Sequence, residues 1–145
     1  MKKILMIEDN EDHALLIRRG LEDGDCNVTH YQDGLEALKA CEAIDAQDLR
    51  PDLILLDLKL PGMDGFEVLK SLKNLKWFER VPIVMLTTSC RREEIEKAYQ
   101  LGAAGFVVKA EDFGVLMAKL KRVKDYWFHT VELPYAEPIS NVRGK

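Results

Sequence analysis

Cysteine is scarce in this sequence, and its few residues follow no known ligand or disulfide pattern. Cys26, Cys41 and Cys90 are an odd number, and neither a CxxC pair nor a zinc-like spacing with histidine accompanies them. A disulfide framework and a zinc finger are therefore not expected. Such sparing use of cysteine suits a reducing compartment, so we expect the protein to be cytoplasmic.

Long hydrophobic runs and an excess of positive charge are also missing. Only four apolar residues separate Lys3 from Glu8, which is too short for a signal peptide and far too short for a membrane span. The 145 residues carry 21 basic and 25 acidic side chains, for a net charge of -4. Nucleic-acid binding usually needs a basic field, so we expect a protein that binds neither nucleic acid nor membrane.

What the sequence does contain is a regular alternation of short apolar runs and longer amphipathic stretches. The runs cover residues 4–7, 27–31 (a weak one), 53–58, 81–86 and 106–108, and the candidate helices cover 11–23, 34–46, 65–75, 92–102 and 112–129. Runs this short and this apolar are typical of strands buried on both faces. Five strand–helix units in succession predict an α/β domain with a parallel, doubly wound sheet.

Local signals support some of these helices. Asp33 and Asp64 stand where a carboxylate can cap the second and third helices. The last candidate helix shows an apolar stripe at steps of three and four residues, formed by Phe113, Leu116, Met117, Leu120, Lys124 and Trp127. The stripe predicts that this helix packs along the sheet.

Polar side chains follow the predicted strands, at the edge where such folds place their sites. Glu8 and Asp9 follow the first strand, Asp57 follows the third, Thr87 ends the fourth and Lys109 follows the fifth. Clustered carboxylates repel one another, and Mg²⁺ is a cation that makes such a cluster tolerable. A lysine and a hydroxyl can hold the other oxygens of a phosphoryl group, which leaves Asp57 as the candidate nucleophile.

Four motifs in order make the chain resemble the receiver domain of two-component response regulators: "ILMIEDNE", "DLILLDLKLPGMDG", "PIVMLTTS" and "GAAGFVVKA". The match covers about residues 2 to 125. The resemblance implies a five-stranded parallel sheet in the order 2-1-3-4-5 with five helices, the flavodoxin-like receiver fold. It also implies a signalling protein that catalyses only its own phosphotransfer and dephosphorylation.

The family's site residues carry over onto matching positions. Asp57 would accept the phosphoryl group. Asp9, Asp57 and the backbone carbonyl of Lys59 would bind Mg²⁺ directly, and Glu8 would bind it through water. Lys109 would pair with the phosphoryl group or with the unphosphorylated Asp57.

The same resemblance implies a switch and a partner surface. Thr87 and Phe106 match the hydroxyl and the aromatic whose coupled movement reports phosphorylation to the face formed by helix four, strand five and helix five. We expect this face to form a symmetric homodimer, extended by aromatic residues of the C-terminal segment. The residues assigned to it are Tyr99, Phe106, Tyr126, Trp127 and Phe128. The alternative for the aromatic segment is that it folds back on its own domain.

The C-terminal segment indicates which group of response regulators the chain resembles. We expect a receiver domain over residues 1–125 and an extension over 126–145 that completes the last helix and carries no output domain. The ending "YWFHTVELP", together with "LTTS", is similar to the response regulators that serve cyanobacterial and other bacterial phytochromes. The expected partner is therefore a sensor histidine kinase of the phytochrome type.

Two positions depart from the family pattern. Ala110 follows Lys109 where receivers usually have proline, often after a cis bond, and a cis bond before another residue costs about 3 kcal/mol. Lys59 occupies a position that influences phosphate lifetime in the family. Its side chain could pair with Glu8 or shield the phosphoryl group from water.

Other functions have specific sequence requirements. A haloacid-dehalogenase-type phosphatase needs a second aspartate two residues after the nucleophile, where Lys59 stands. A flavin carrier or dinucleotide enzyme needs a phosphate-cradling loop after strand one, where "EDNEDH" is strongly anionic. A pseudo-receiver that acts only as an interaction or dimerisation module would be expected to lose an acid or the lysine, and it remains the alternative to be tested.

Overall fold

The computed structural model describes residues 1–134. Strands and helices alternate as predicted: β1 Lys2–Ile7, α1 Glu11–Leu21, β2 Cys26–Tyr31, α2 Gly34–Glu42, β3 Leu53–Leu56, α3 Gly65–Lys73, β4 Ile83–Thr87, α4 Arg92–Gln100, β5 Gly105–Val108 and α5 Phe113–Asp125. A 3₁₀ turn, Gln47–Leu49, precedes β3, and a π-helical turn, Tyr126–Thr130, extends α5.

All five strands are parallel and lie in the order β2-β1-β3-β4-β5. The predicted fold is therefore confirmed. Successive side chains of a strand point to opposite faces, and β3 shows this directly: Leu53 and Leu55 face one core cluster while Ile54 and Leu56 face the other. Helices α1 and α5 cover the first face, and α2, α3 and α4 cover the second.

The predicted caps are present. The Asp33 carboxylate accepts hydrogen bonds from the backbone N–H groups of Leu35 and Glu36. Asp64 accepts from the N–H of Glu67, whose side chain accepts in return from the Asp64 N–H to complete a capping box. Helix α3 therefore begins at a fixed point shortly after Asp57.

The last helix differs in two respects from its prediction. Leu116 and Leu120 are buried, but Phe113 at the start of the stripe is exposed. The α-helix also ends at Asp125 and widens into the π-helical turn, in which Trp127 and Phe128 pack against the α1/α5 core cluster. With Leu133 buried as well, this part of the aromatic segment folds back on its own domain; Tyr135 lies outside the described residues.

Two further findings bear on the expectations above. Every peptide bond within residues 1–134 is trans, including the one between Lys109 and Ala110. Over the same residues no helix combines the length and apolar character needed to cross a membrane.

Candidate functional site

The carboxyl ends of four strands converge at one edge of the sheet. The register aligns Ile7 of β1 with Leu56 of β3, so Glu8 and Asp57 follow neighbouring strands at the same level. Thr87 of β4 pairs with Val108 of β5, which places Lys109 immediately beyond. The Asp57 N–H donates to the Ile7 carbonyl at 3.1 Å, and the Lys109 N–H donates to the Thr87 carbonyl at 2.7 Å.

Three carboxylates form the candidate metal centre. Ligand oxygens of Glu8, Asp9 and Asp57 lie within 4.8 Å of one another. Glu8 and Asp57 are buried, at 2% and 7% exposure, whereas Asp9 is exposed. Hard carboxylate oxygens with one side open to water are the donor set that Mg²⁺ prefers, since this ion keeps several of its waters. The cluster could therefore hold a divalent cation.

Lys109 neutralises the buried acids. Its ammonium lies 2.5 Å from Glu8 Oε1 and 3.2 Å from Asp57 Oδ2, and its side chain is 4% exposed. A third contact, at 3.1 Å, joins the ammonium to Nδ1 of His13. Two buried carboxylates without this cation would be costly, because each charge has left water.

The other Asp57 oxygen is held by the chain that follows it. Oδ1 accepts a hydrogen bond from the Lys59 N–H at 3.2 Å. The turn then closes through the Gly65 N–H, which donates to the Leu58 carbonyl at 2.9 Å. The proline–glycine stretch between them thus returns the chain to the site and into α3.

Burial dominates the electrostatics of Glu8. Desolvation raises the pKa of Glu8 to about 7, and the negative charge of Asp57 acts in the same direction. The ion pair with Lys109 opposes this shift without cancelling it. Glu8 therefore carries a proton in part of the metal-free protein near neutral pH.

The Glu8 shift predicts how stability depends on pH in chelator. Between the ordinary value of 4.5 and about 7 the folded protein holds more protons on Glu8 than the unfolded chain does. The contribution of Glu8 to the free energy of unfolding is therefore fully present below about pH 4.5 and is lost as pH rises through 7. Glu8→Gln should remove up to about 1.4 kcal/mol per pH unit of this dependence in urea titrations.

The control is Glu96→Gln, on the exposed surface of α4, which should leave the pH dependence of stability unchanged. Equal pH profiles for wild type and Glu8→Gln would contradict the shift.

A second network lies on the α4 side of the site. The Lys59 ammonium pairs with Glu94 at 3.0 Å, and the Ser89 hydroxyl donates to the same carboxylate. These two contacts lower the pKa of Glu94, the Ser89 bond most. Of the two possibilities for the Lys59 side chain, the pair with Glu8 is not formed, because Glu8 is bound to the buried Lys109 and Lys59 extends outward to α4.

The remaining predicted residues are those of the proposed switch and partner surface. Thr87 is fully buried at the end of β4, and its hydroxyl accepts from the Ser89 N–H at 3.4 Å. Phe106 lies on the edge strand β5, opposite Met85 of β4, and packs half-buried against the core. Tyr99 of α4 and Tyr126 are each 50% exposed.

Sequence reasoning missed two residues of this site, His13 and Glu94. In the sequence His13 is a single histidine without metal-ligand spacing, yet in the structure it contacts Lys109. Glu94 is one of two adjacent glutamates in the first turn of α4, and the sequence does not distinguish it from its neighbour. Only the spacing of His13, one turn after Asp9, offered any signal.

Comparison with known proteins agrees with this geometry. Residues 4–121 match the response regulator receiver domain family. The response regulator Rcp1 of Synechocystis sp. is 32% identical over 139 residues, which cover 93% of this chain and 95% of that protein.

Solved structures show the same fold. The phosphorylated cyanobacterial phytochrome response regulator RcpA superposes with a TM-score of 0.84 at 34% identity, covering 92% of this chain and 98% of that one. The Mn²⁺-bound form of Rcp1 superposes with a TM-score of 0.82 at 31% identity, covering 92% and 99%. The acid cluster, the lysine opposite it and these matches lead to one conclusion: the chain belongs to the response regulator receiver domain family.

Proposed function

We propose that this protein accepts a phosphoryl group from a sensor histidine kinase on Asp57, in a Mg²⁺-dependent reaction. The observation that supports it most is the position of the Asp57 carboxylate, which lies between an acid cluster and a buried ammonium. Glu8, Asp9 and Asp57 offer oxygens within 4.8 Å of one another, and Lys109 lies 3.2 Å from Asp57 Oδ2.

The chemistry follows from these positions. A carboxylate oxygen of Asp57 attacks phosphorus and forms a P–O bond, while the P–N bond to the donor's imidazole breaks and its electron pair stays on nitrogen. Bound Mg²⁺ would neutralise phosphoryl oxygens in this transfer. Lys109 would bind another of these oxygens, and Lys59 would supply a backbone carbonyl to the metal alongside Asp9, with Glu8 acting through water.

The proposed output is a change at the face formed by α4, β5 and α5. Thr87 is buried at the end of β4, just before the loop that contains Ser89. Phosphorylation would draw its hydroxyl toward the phosphoryl group. Phe106 lies on the adjacent strand and would move with it. Coupling of this kind is worth about 1–3 kcal/mol, enough to shift an equilibrium between two conformations.

The donor is proposed to be a phytochrome-type histidine kinase. Support comes from the likeness to a structure described as a phytochrome response regulator, RcpA, over 92% of this chain. We assign residues 1–125 to the receiver unit, which contains the matched segment 4–121, and we place the protein in the cytoplasm with its kinase. Candidate kinases are ranked by their rates of phosphoryl transfer.

Phosphorylation itself is tested by intact mass after incubation with acetyl phosphate and Mg²⁺. Wild type should gain a single phosphoryl group, and Asp57→Asn should gain none. Asp48→Asn, a matched change on the exposed surface, should behave as wild type. Chelation of the metal should suppress the adduct in both competent proteins. The absence of any adduct in wild type would favour the pseudo-receiver instead.

We also propose a symmetric homodimer through α4, β5 and α5. The edge strand β5 and the half-exposed Tyr99 and Tyr126 support this surface, whereas Trp127 and Phe128 pack largely on their own domain. Tyr99→Glu should shift the sedimentation of the micromolar protein toward the monomer, because it introduces charge into an apolar contact. A wild type that sediments only as monomer, with and without a beryllofluoride phosphoryl mimic, would contradict the dimer.

A further inference from the structure

Lys109 has three ammonium protons, and the structure supplies three acceptors for them. Glu8 Oε1 lies at 2.5 Å, Asp57 Oδ2 at 3.2 Å and His13 Nδ1 at 3.1 Å. An ammonium can only donate, so Nδ1 of His13 must be the acceptor. This contact requires the tautomer of His13 that carries the ring proton on Nε2.

Two of these acceptors take part in metal binding or phosphorylation, and the third does not. Under the proposed function, Asp57 becomes an acyl phosphate and Glu8 contributes to metal binding. His13 takes part in neither event. Its contact with the Lys109 ammonium can therefore persist from the free to the phosphorylated protein.

The chain holds His13 in place for this contact. The Asn10 side chain caps α1 by accepting from the His13 N–H at 3.0 Å. The Asn10 N–H in turn donates to Glu8 Oε2 at 3.1 Å. Glu8, Asn10, His13 and Lys109 thus form a closed ring of contacts, and the cap of α1 fixes the backbone of His13 relative to Glu8.

We propose that His13 is a positioning residue for phosphoryl transfer, and that it directs the Lys109 ammonium toward the phosphoryl oxygens by occupying one of its three protons. This inference rests on the proposed function. When His13 binds one proton of the ammonium, the other two point toward the reacting carboxylate. The Lys109 side chain then loses less conformational freedom on reaching the transition state. Without His13, the contacts among the described residues hold the ammonium only through two carboxylates, and one of these, Asp57, changes when it reacts.

Two substitutions separate this role from simple packing. Asparagine carries its carbonyl oxygen on the atom to which Nδ1 is attached in histidine, so His13→Asn can keep the acceptor, whereas His13→Leu fills space without one. With acetyl phosphate and saturating Mg²⁺, His13→Leu should be phosphorylated about tenfold more slowly than wild type. His13→Asn should remain within about twofold of wild type. His13→Ala serves as the second acceptor-free variant if the leucine protein does not fold.

A spectroscopic measurement tests the contact without phosphorylation. Nitrogen NMR of the imidazole should show His13 as the Nε2–H tautomer, and Lys109→Met should shift its Nδ1 resonance. A His13→Leu rate equal to that of wild type, or His13→Asn as slow as His13→Leu, would overturn the inference. Failure of wild type to form any adduct would instead contradict the proposed function, and the tautomer would still report on the contact.

Discussion

Lys109→Met is expected to slow phosphoryl transfer to Asp57 by about a hundredfold or more. The ammonium lies 3.2 Å from the reacting carboxylate and is almost fully shielded from water. Because water is excluded, its charge acts strongly on neighbouring groups. Removing one preorganised group that stabilises developing charge typically costs two to three orders of magnitude in rate. The rate is measured by intact mass over time with acetyl phosphate and saturating Mg²⁺.

The same substitution should also destabilise the metal-free protein. It leaves Glu8 and Asp57 buried without their cation, and breaking a buried pair in this way costs about 3–5 kcal/mol. The loss should grow as pH rises, because Lys109 lowers the pKa of Glu8 and its removal lets Glu8 keep a proton to higher pH before the unpaired charge appears. Added Mg²⁺ should restore part of the stability by neutralising the same carboxylates.

Lys121→Met is the matched control for this experiment. Lys121 pairs with Asp125 at 3.2 Å one turn along α5, but its side chain is 76% exposed. Such surface pairs contribute less than about 1 kcal/mol, so this variant should phosphorylate normally and unfold at nearly the wild-type urea concentration. Equal stability of Lys109→Met and Lys121→Met in chelator would show that the buried ion pair does not balance the acids.

The sequence predicts the arrangement at the strand ends because the carboxyl ends of parallel strands meet at one edge. Short apolar runs define the strands, and the residue after each run must then lie near the others. Glu8, Asp57 and Lys109 share one edge by this rule, across 101 residues between the first and the last, and the strand order that the family resemblance implies brings them close. The caps at Asp33 and Asp64 are equally local, because a capping side chain binds amides only two or three residues away.

Contacts made by helix surfaces were not predictable in the same way. His13 reaches Lys109, and Glu94 reaches Lys59, only because α1 and α4 lie at particular angles on the sheet with particular side-chain rotamers. Periodicity shows which face of a helix is buried but not which polar residue at its end meets which loop. The π-helical turn at 126–130 is also unpredicted, since the apolar stripe of the last helix runs on to Trp127 within it at helical spacing.

Gly65→Ala is expected to cause the largest loss of stability of any single methyl group added near the site. A Cβ at this position would lie 2.4 Å from the carbonyl oxygen of Asp57 and 2.6 Å from the Cα of Leu58. Both atoms belong to the backbone, so no side-chain rotation can relieve the overlap. Because the obstacle is close approach and not a left-handed backbone conformation, any residue larger than glycine meets it.

The expected cost is about 3 kcal/mol or more in the free energy of unfolding, at the upper end of what overpacking produces. Gly24→Ala is the matched control, since a Cβ there has no atom within 4 Å and should change stability by less than about 1 kcal/mol. Urea titrations of both variants give the comparison. If Gly65→Ala does fold, α3 must move away from the turn that carries Asp57, and phosphorylation should be slower than in Gly24→Ala. A Gly65→Ala protein with the stability and phosphorylation rate of Gly24→Ala would show that this turn is not closely packed and that Asp57 does not depend on it for its position.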